Sequence, residues 1–305
     1  MNLIQLRYVR EIVRQGLSVS NASDSLHTSQ SGVSRQIQLL EEELKLQIFK
    51  RNGKRLVGIT EPGKIIVTLA TRVLREMENI KRVGEEYTQK DVGTLTIATT
   101  HTQARYFLPV AVKKFMHEFP DVALTIHQGN PIQVAEQVAN GEADIGIATE
   151  SINTYDNLLC LPCYQWNRCI VVSEGHPLLR IRQLTLKKLA SYPLITYDFS
   201  VTGGSIVKRV FEQEGLEPHI VLTAVDADVI KTYVSLGLGV GLLASMAFNP
   251  ERDANLKMLD VSHLFPESTT FLGLRRDAFL RDFVYDFIHI LVPSLSRNAV
   301  VAALK

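Results

Sequence analysis

Three features of this 305-residue chain predict an α/β protein with a helix-turn-helix head, one long linking helix and a two-lobed body. Residues 3–44 carry apolar side chains at helical spacing in two short stretches and one longer one, with a polar break between them. Asn52-Gly53 lies between short strand-like runs and is flanked by four cations. From Gly93 onward, short β-rich apolar runs alternate with amphipathic helical patterns, which predicts α/β lobes with parallel sheets. At roughly 100–200 residues per domain, two or three domains with real cores are expected.

The composition is 46% hydrophobic, 21% charged and 7% aromatic, which excludes a disordered, collagen-like or disulfide-stapled chain. No apolar run approaches the roughly 18 residues of a membrane span. The first residues show no signal-peptide apolar region, and the three cysteines are an odd number. A cytoplasmic, thiol-reduced protein is therefore expected. The net charge of +1 conceals an asymmetry. Residues 1–64 hold ten Lys/Arg and six Asp/Glu, whereas the remaining 241 residues hold 23 and 26. A basic head on a mildly acidic body points to an anionic partner for the head.

In the head, Leu3, Leu6, Val9, Ile12 and Val13 predict a first helix ended by Gly16. Ser18 or Ser20 caps a second, with Val19, Ala22 and Leu26 inward. Ser29 caps a third, with Val33, Ile37, Leu40 and Leu44 on one face. The other face offers Ser29, Gln30, Ser31, Ser34, Arg35 and Gln38, with no carboxylate before Glu41. Phosphates repel carboxylates, while Gln and Arg reach base edges in a major groove. Gln30, Ser34 and Arg35 are placed at base edges or nearby phosphates. Asn52-Gly53 makes a basic hairpin, a wing whose Arg51, Lys54 and Arg55 grip the DNA backbone.

Thr60 caps a long helix with Glu61 and Pro62 in its first turn. Ile65, Ile66, Leu69, Val73, Met77, Ile80 and Val83, with Ala70 and Leu74, form an apolar stripe over about six turns. A second copy of this helix is the expected cover, hence a homodimer presenting two heads to two half-sites of double-stranded DNA.

The predicted divisions are 1–59 for the head, 60–88 for the linking helix and 89–305 for the body. Lobe I takes about 89–162 and 269–295, and lobe II about 163–268. Strands are expected at 93–100, 122–126, 143–149, 170–172, 194–196 and 240–243, with a return to lobe I at 269–274. Ligands of open α/β sheets sit beyond the carboxyl ends of strands. Three hydroxyl-rich strand or loop ends stand out: Thr99-Thr100-His101-Thr102-Gln103, Thr149, and Val201-Thr202-Gly203-Gly204-Ser205. Hydroxyls with free helix N–H groups bind small anions, although each Thr alone is also an ordinary N-cap. Arg105 is the only nearby cation in sequence, and His101 is expected to be a structural, backbone-bonded histidine.

The run Ser20-x-Ala22-x3-Leu26-x2-Ser29-Gln30-x3-Ser34-x2-Ile37-x2-Leu40-Glu41-x2-Leu44-x3-Ile48-Phe49-x-Arg51, followed by Thr60-x-Pro62-Gly63, resembles the head of a LysR-type transcriptional regulator. The body resembles the CysB and Cbl group of that family. The supporting stretches are Thr99–Tyr106, Leu161-Pro162-Cys163-Tyr164-x-Trp166 and Asp226–Val234. The resemblance covers essentially the whole chain. It implies a two-lobed effector domain like periplasmic binding proteins, a tetrameric assembly and RNA polymerase as a partner. It also implies activation of cysteine-biosynthesis and sulfur-assimilation genes, or control of alkanesulfonate and other alternative sulfur sources. The matching effector positions are Thr100, Thr102, Gln103, Thr149, Trp166 and Thr202. The implied effectors are sulfate, thiosulfate, O-acetylserine, N-acetylserine or adenosine phosphosulfate. Two departures stand out. Gly204 replaces an Arg usual in Thr-Gly-Arg-Ser, which also leaves room for a non-sulfur effector, and Lys45 replaces a favoured Gly.

Enzymatic readings find little support. Gly237-x-Gly239-x-Gly241 follows a helix and leads into a strand, the reverse of a dinucleotide loop. No phosphate-binding loop or nucleophile elbow occurs. Cys160-x-x-Cys163 has redox spacing but apolar neighbours, and the eight His are scattered. No metal, resident cofactor or catalytic residue is expected. A solute-binding protein for a transporter would share the body, but a DNA-reading head argues against it.

Overall fold

The computed structural model describes residues 1–53, 55–198 and 202–304; of residues 151, 154 and 202–204 it describes the backbone alone. The chain forms two compact units, Met1–Thr88 and Gln89–Lys305.

The first unit begins with α1 (Leu3–Arg14), α2 (Val19–Ser25) and α3 (Gln30–Leu44). Asn2, Ser18 and Ser29 cap them through side-chain oxygens that accept backbone N–H groups one turn on. Gly16 and Leu17 both take positive φ after α1, the turn expected there. Val9, Ile12, Ala22, Val33, Ile37, Leu40, Ile48, Phe49 and Leu56 form the core. Leu3, expected inward, is 41% exposed. Buried Glu11 takes part of that face instead, and it accepts hydrogen bonds from Gln15 and from Ser25 of α2.

The hairpin β1 (Phe49–Asn52) and β2 (Arg55–Ile59) follows, its turn led by Gly53 at φ +60°. Then α4 (Glu61–Thr88) begins under the Thr60 cap. Thr60 Oγ1 accepts from Gly63 N at 3.0 Å and donates to Gln47 O at 2.6 Å. A Cβ on Gly63 would run into the Ile48 carbonyl oxygen, so a side chain is excluded where α4 meets the wing. The apolar stripe of α4 divides. Ala70 and Leu74 bury against Leu6, with Met77 alongside. Ile65, Leu69, Val73, Ile80 and Val83 stay exposed.

In the second unit, β3 (Gly93–Thr99) leads through a π-helical turn at Gln103–Phe107 into α5 (Leu108–Glu118). Next come β4 (Val122–Gln128), α6 (Pro131–Ala139), β5 (Ile145–Thr149) and β6 (Leu158–Trp166). The chain then crosses into lobe II with β7 (Arg168–Ser173), α7 (Leu186–Ala190), β8 (Leu194–Tyr197), α8 (Thr202–Gln213), β9 (Ile220–Ala224), α9 (Ala227–Ser235), β10 (Val240–Ala244) and β11 (Leu256–Asp260). It returns as β12 (Ser268–Arg275), followed by α10 (Asp282–Leu291) and α11 (Arg297–Leu304).

Lobe I is a five-stranded sheet in the order β4-β3-β5-β12-β6, and lobe II one in the order β11-β7-β10-β8-β9. Both are mixed rather than purely parallel as expected. In lobe I, β3 is parallel to β4 and β5, while β12 runs antiparallel to β5 and β6. In lobe II, β8 is parallel to β9 and β10, while β7 is antiparallel to β10 and β11. The antiparallel strands carry the two crossovers, so the lobes change hands at Trp166–Arg168 and just before Ser268. Lobe I therefore extends along β6 to Trp166, beyond the expected break at 162. Separate apolar clusters cover both faces of each sheet, as three-layer packing requires.

Arg168 ties the crossovers together. It is 2% exposed, donates to Pro266 O and Ser268 Oγ at 3.1 Å each, and lies over the Trp166 ring. A buried cation needs such hydrogen-bond partners.

Candidate functional site

At the start of α3, Ser29, Gln30, Ser31, Arg35 and Gln38 are exposed and Ser34 is half-buried; Ser31, Arg35 and Gln38 lie on the face opposite Val33, Ile37 and Leu40. Ser29 spends its hydroxyl on the cap, accepting from Gly32 N at 3.1 Å. Arg35 reaches only a long, exposed contact of 4.0 Å to Glu42, which leaves it available. Arg55 is exposed on the wing, and Lys54 lies outside the described residues.

Arg51 has another occupation. Its guanidinium is 3.0 Å from Glu41 Oε2. Glu41 is not the start of a solvated acidic run: it is 4% exposed and accepts from Ile48 N and Phe49 N at 2.8 and 3.1 Å. A buried carboxylate needs a cation as well as N–H donors, and Arg51 supplies it. Arg51, expected on phosphate, therefore also has an internal role, which fastens the wing to α3.

In the body, the sheet order gathers the other predicted residues. Thr100 follows β3, whose Thr99 lies beside Ile147 of β5 and donates its hydroxyl to that carbonyl. Thr149 ends β5 opposite Thr270 of β12, and Trp166 ends β6 opposite Ser268 of the same strand. Gln103 Nε2 donates to Thr270 Oγ1 at 3.3 Å. Thr100, Gln103, Thr149 and Trp166 thus converge at one end of the lobe I sheet. The Thr202 side chain lies outside the described residues, although its backbone opens α8.

The side chains differ in availability. Gln103 is buried, and Tyr164 Oη donates to its Oε1 at 2.5 Å, so both ends of its amide are engaged. The indole N–H of Trp166 is buried with no hydrogen-bond partner, an unmet donor in the lobe I sheet end. Glu150 Oε2 and Asn167 Oδ1, on residues adjoining Thr149 and Trp166, are buried acceptors in the same condition. A cavity of about 680 Å³ opens nearby, lined by Glu150, Ile206, Arg209, Val210, Gln213 and Leu264 among others. None of the predicted residues whose side chains are described lines it.

Several contributors were not foreseen. Tyr106 of lobe I donates to Asp228 Oδ1 at 2.7 Å and accepts from Lys231 Nζ at 3.0 Å, both on α9 of lobe II. Arg105 Nε is 2.7 Å from Asp228 Oδ2, so this cation is held by a carboxylate rather than free for an anion. Burial alone would raise the Asp228 carboxyl, but the Tyr106 hydroxyl and the Lys231 and Arg105 cations hold it below its ordinary value. Burial likewise opposes the Lys231 charge, yet its bonds to Tyr106 and Asp253 raise its pKa. Tyr106 and Arg105 lie more than 120 residues from Asp228 and Lys231, and no spacing in sequence announces the meeting.

His101 is not backbone-bonded. Its Nδ1 is buried without a partner, and its Nε2 lies 3.9 Å from Asp228 Oδ2. His101, Asp226 and Asp228 offer potential ligand atoms within 4.8 Å of one another. Arg105 and Lys231 already neutralise Asp228, which disfavours a metal ion there. Cys160 and Cys163 sit on strand β6, and burial pushes the Cys163 thiol up to about 12, the opposite of a reactive thiolate. Gly237, at φ +76°, makes the tight turn after α9. No helix among the described residues is long and apolar enough to cross a membrane.

Residues 3–64 match the family model described as bacterial regulatory helix-turn-helix protein, lysR family, and residues 88–296 match the one described as LysR substrate binding domain. The chain is 52% identical over 305 residues to the HTH-type transcriptional regulator CysB of Burkholderia cenocepacia, covering 100% of this chain and 97% of that one. It is 49% identical over 305 residues to the HTH-type transcriptional regulator SsuR of the same organism, covering 100% and 99%. The crystal structure of the cofactor-binding domain of the Cbl transcriptional regulator superposes with a TM-score of 0.67 at 44% identity, covering 70% of this chain and 93% of that one.

Proposed function

Since the chain belongs to the LysR family of bacterial helix-turn-helix regulators, we propose that it controls transcription of cysteine-biosynthesis and sulfur-assimilation genes, mainly as an activator, in response to a small anionic sulfur-status effector. It acts in the cytoplasm and as a regulator rather than an enzyme. Two heads of a homodimer, paired again in a homotetramer, read double-stranded DNA. Gln30, Ser34 and Arg35 reach base edges or adjacent phosphates, flanked by Ser29, Ser31 and Gln38, and Arg55 and Lys54 hold the backbone. The exposed apolar edge of α4 supports the dimer, because Ile65, Leu69, Val73, Ile80 and Val83 gain cover from a second copy. RNA polymerase is the partner at the promoter.

The observation that carries the effector reading is the orphaned indole N–H of Trp166, beside Thr149 and Thr100 at the ends of β6, β5 and β3. An unpaired buried donor costs about 1–3 kcal/mol, which an oxyanion would recover. Thr100, Thr102, Thr149 and Thr202 supply the remaining hydroxyls. The orphaned acceptors on Glu150 and Asn167 favour an effector that carries N–H as well as oxygen. O-acetylserine and N-acetylserine have both; sulfate and thiosulfate do not, and adenosine phosphosulfate bears an amine on its base. A second reading, control of alkanesulfonate and other alternative sulfur sources, is supported by the nearly equal likeness to SsuR.

Calorimetric titration of the full chain with sulfate, thiosulfate, O-acetylserine, N-acetylserine and adenosine phosphosulfate tests the reading. Saturable binding of one of them, lost in Thr100→Ala, is the expected result. Silence across the panel rejects the sulfur effector and leaves the DNA-reading head untouched.

A further inference from the structure

We propose that Tyr106, seated on Asp228 and Lys231, is an inter-lobe latch that sets how readily the body closes on its effector. This rests on the reading of the lobe junction as the effector site.

Tyr106 belongs by sequence to lobe I, yet it packs against the lobe II cluster built on Val171, Ile195 and Ile230. Its hydroxyl joins two groups of opposite charge on α9, donating to Asp228 and accepting from Lys231. Lys231 continues the chain inward, donating to Asp253 Oδ2 at 3.0 Å and Ala247 O at 2.8 Å, and its side chain is only 9% exposed. Every donor on that buried ammonium is therefore met, and the Tyr106 hydroxyl is the member that comes from the other lobe. Loss of one partner in such a network costs far more than an exposed pair, because the rest stay desolvated.

The π-helical turn explains how one short segment serves both lobes. Its wider winding sends Gln103 back to Tyr164 and Thr270 of lobe I while Tyr106 enters lobe II. The effector residues Thr100 and Thr102 lie at the start of this bridge. Parting of the lobes must break the Tyr106 contacts and pull the Thr100–Gln103 turn with them. A ligand touching both lobes binds the closed pose, so its apparent affinity scales with the closed fraction.

The chain contains one tryptophan, Trp166, at the crossover and 9% exposed. It reports lobe opening without any ligand. In the full-length protein, Tyr106→Phe and Asp228→Asn are compared with wild type and with Tyr155→Phe, whose hydroxyl reaches only Glu136 inside lobe I. Acrylamide quenching excited at 295 nm and calorimetric titration with sulfate and with O-acetylserine are the readouts. The latch predicts at least a doubled quenching constant in both variants without ligand, about a tenfold weaker Kd for whichever probe binds, and no change in Tyr155→Phe. A merely structural role lowers Tm and leaves quenching of the folded variant alone. Unchanged quenching in both variants overturns the latch. If neither probe binds wild type, the quenching arm still decides the latch, and only the effector assignment is affected.

Discussion

Lys45 ends α3 at φ +54°, a left-handed conformation that glycine adopts freely and a side chain resists. Its backbone N–H still closes the helix onto Glu41 and Glu42, so the position needs the conformation and not the lysine. Lys45→Gly is expected to stabilise the head by about 0.5–1 kcal/mol, read as a higher urea midpoint with unchanged slope. An unchanged or lower midpoint would show that the lysine contributes something the geometry does not reveal. Glu41, four residues earlier, shows where residue-level reading is weakest. Three consecutive glutamates look alike in sequence, yet Glu41 is buried while Glu42 and Glu43 are exposed. Helical phase places Glu41 one turn beyond Ile37 on the core side, and that signal was available. Its partners, the Ile48 and Phe49 amides and Arg51, were not, because they depend on how the wing folds back.

At the scale of elements, the wing separates two arginines that composition treats as equal. Arg51 is held by Glu41, whereas Arg55 is exposed and makes no described ion pair. Arg55→Ala should lower the salt slope of log K for operator DNA by about 0.9, the loss of one phosphate contact, with little change in stability. Arg51→Ala should do the reverse, lowering the urea midpoint of the head and moving the salt slope little. Equal salt slopes in the two variants would remove the distinction. The junction of wing and α4 gives a second prediction. Gly63 packs directly on the Ile48 carbonyl, so Gly63→Ala must displace either the helix start or β1. A loss of about 2 kcal/mol or more is expected in urea unfolding, of the order seen for overpacked cores. The helices, caps and Asn-Gly hairpin of the head were all legible, since each is a local pattern. The π-helical turn was not, because the run after β3 reads as the start of an ordinary helix until its two side-chain destinations are known.

For the whole molecule, local periodicity was enough to find the lobes but not to orient their strands. β6, β7, β11 and β12 pair antiparallel across separations that no hydrophobic pattern encodes, and the two crossovers follow from those pairings. The same holds for the site. Its threonines are visible at strand ends, whereas Tyr106, Asp228 and Lys231 meet only after both lobes form. Those lobes share one electrostatic property that can be measured on the intact protein. Burial pushes Tyr164 and Tyr197 from an ordinary 10.0 up to about 12, and Cys163 and Cys169 from 9.0 up to about 12. All four are neutral in the folded body at ordinary pH. Their folded pKa values lie above the unfolded ones, so their contribution is complete below about pH 9 and is lost as pH rises toward 12. The unfolded chain releases these protons first, hence stability must fall with increasing pH through that window, by up to about 1.4 kcal/mol per pH unit for each fully ionising group. Thermal melts between pH 8 and 11 should show Tm dropping most steeply above pH 9 to 10. Tyr197→Phe lowers Tm at every pH, because the Ala244 amide loses its acceptor. Yet it should flatten the alkaline slope, since one of the four ionisations is gone. A slope identical to wild type would mean that Tyr197 reaches water in the native state and that the lobe II core is looser than its packing indicates.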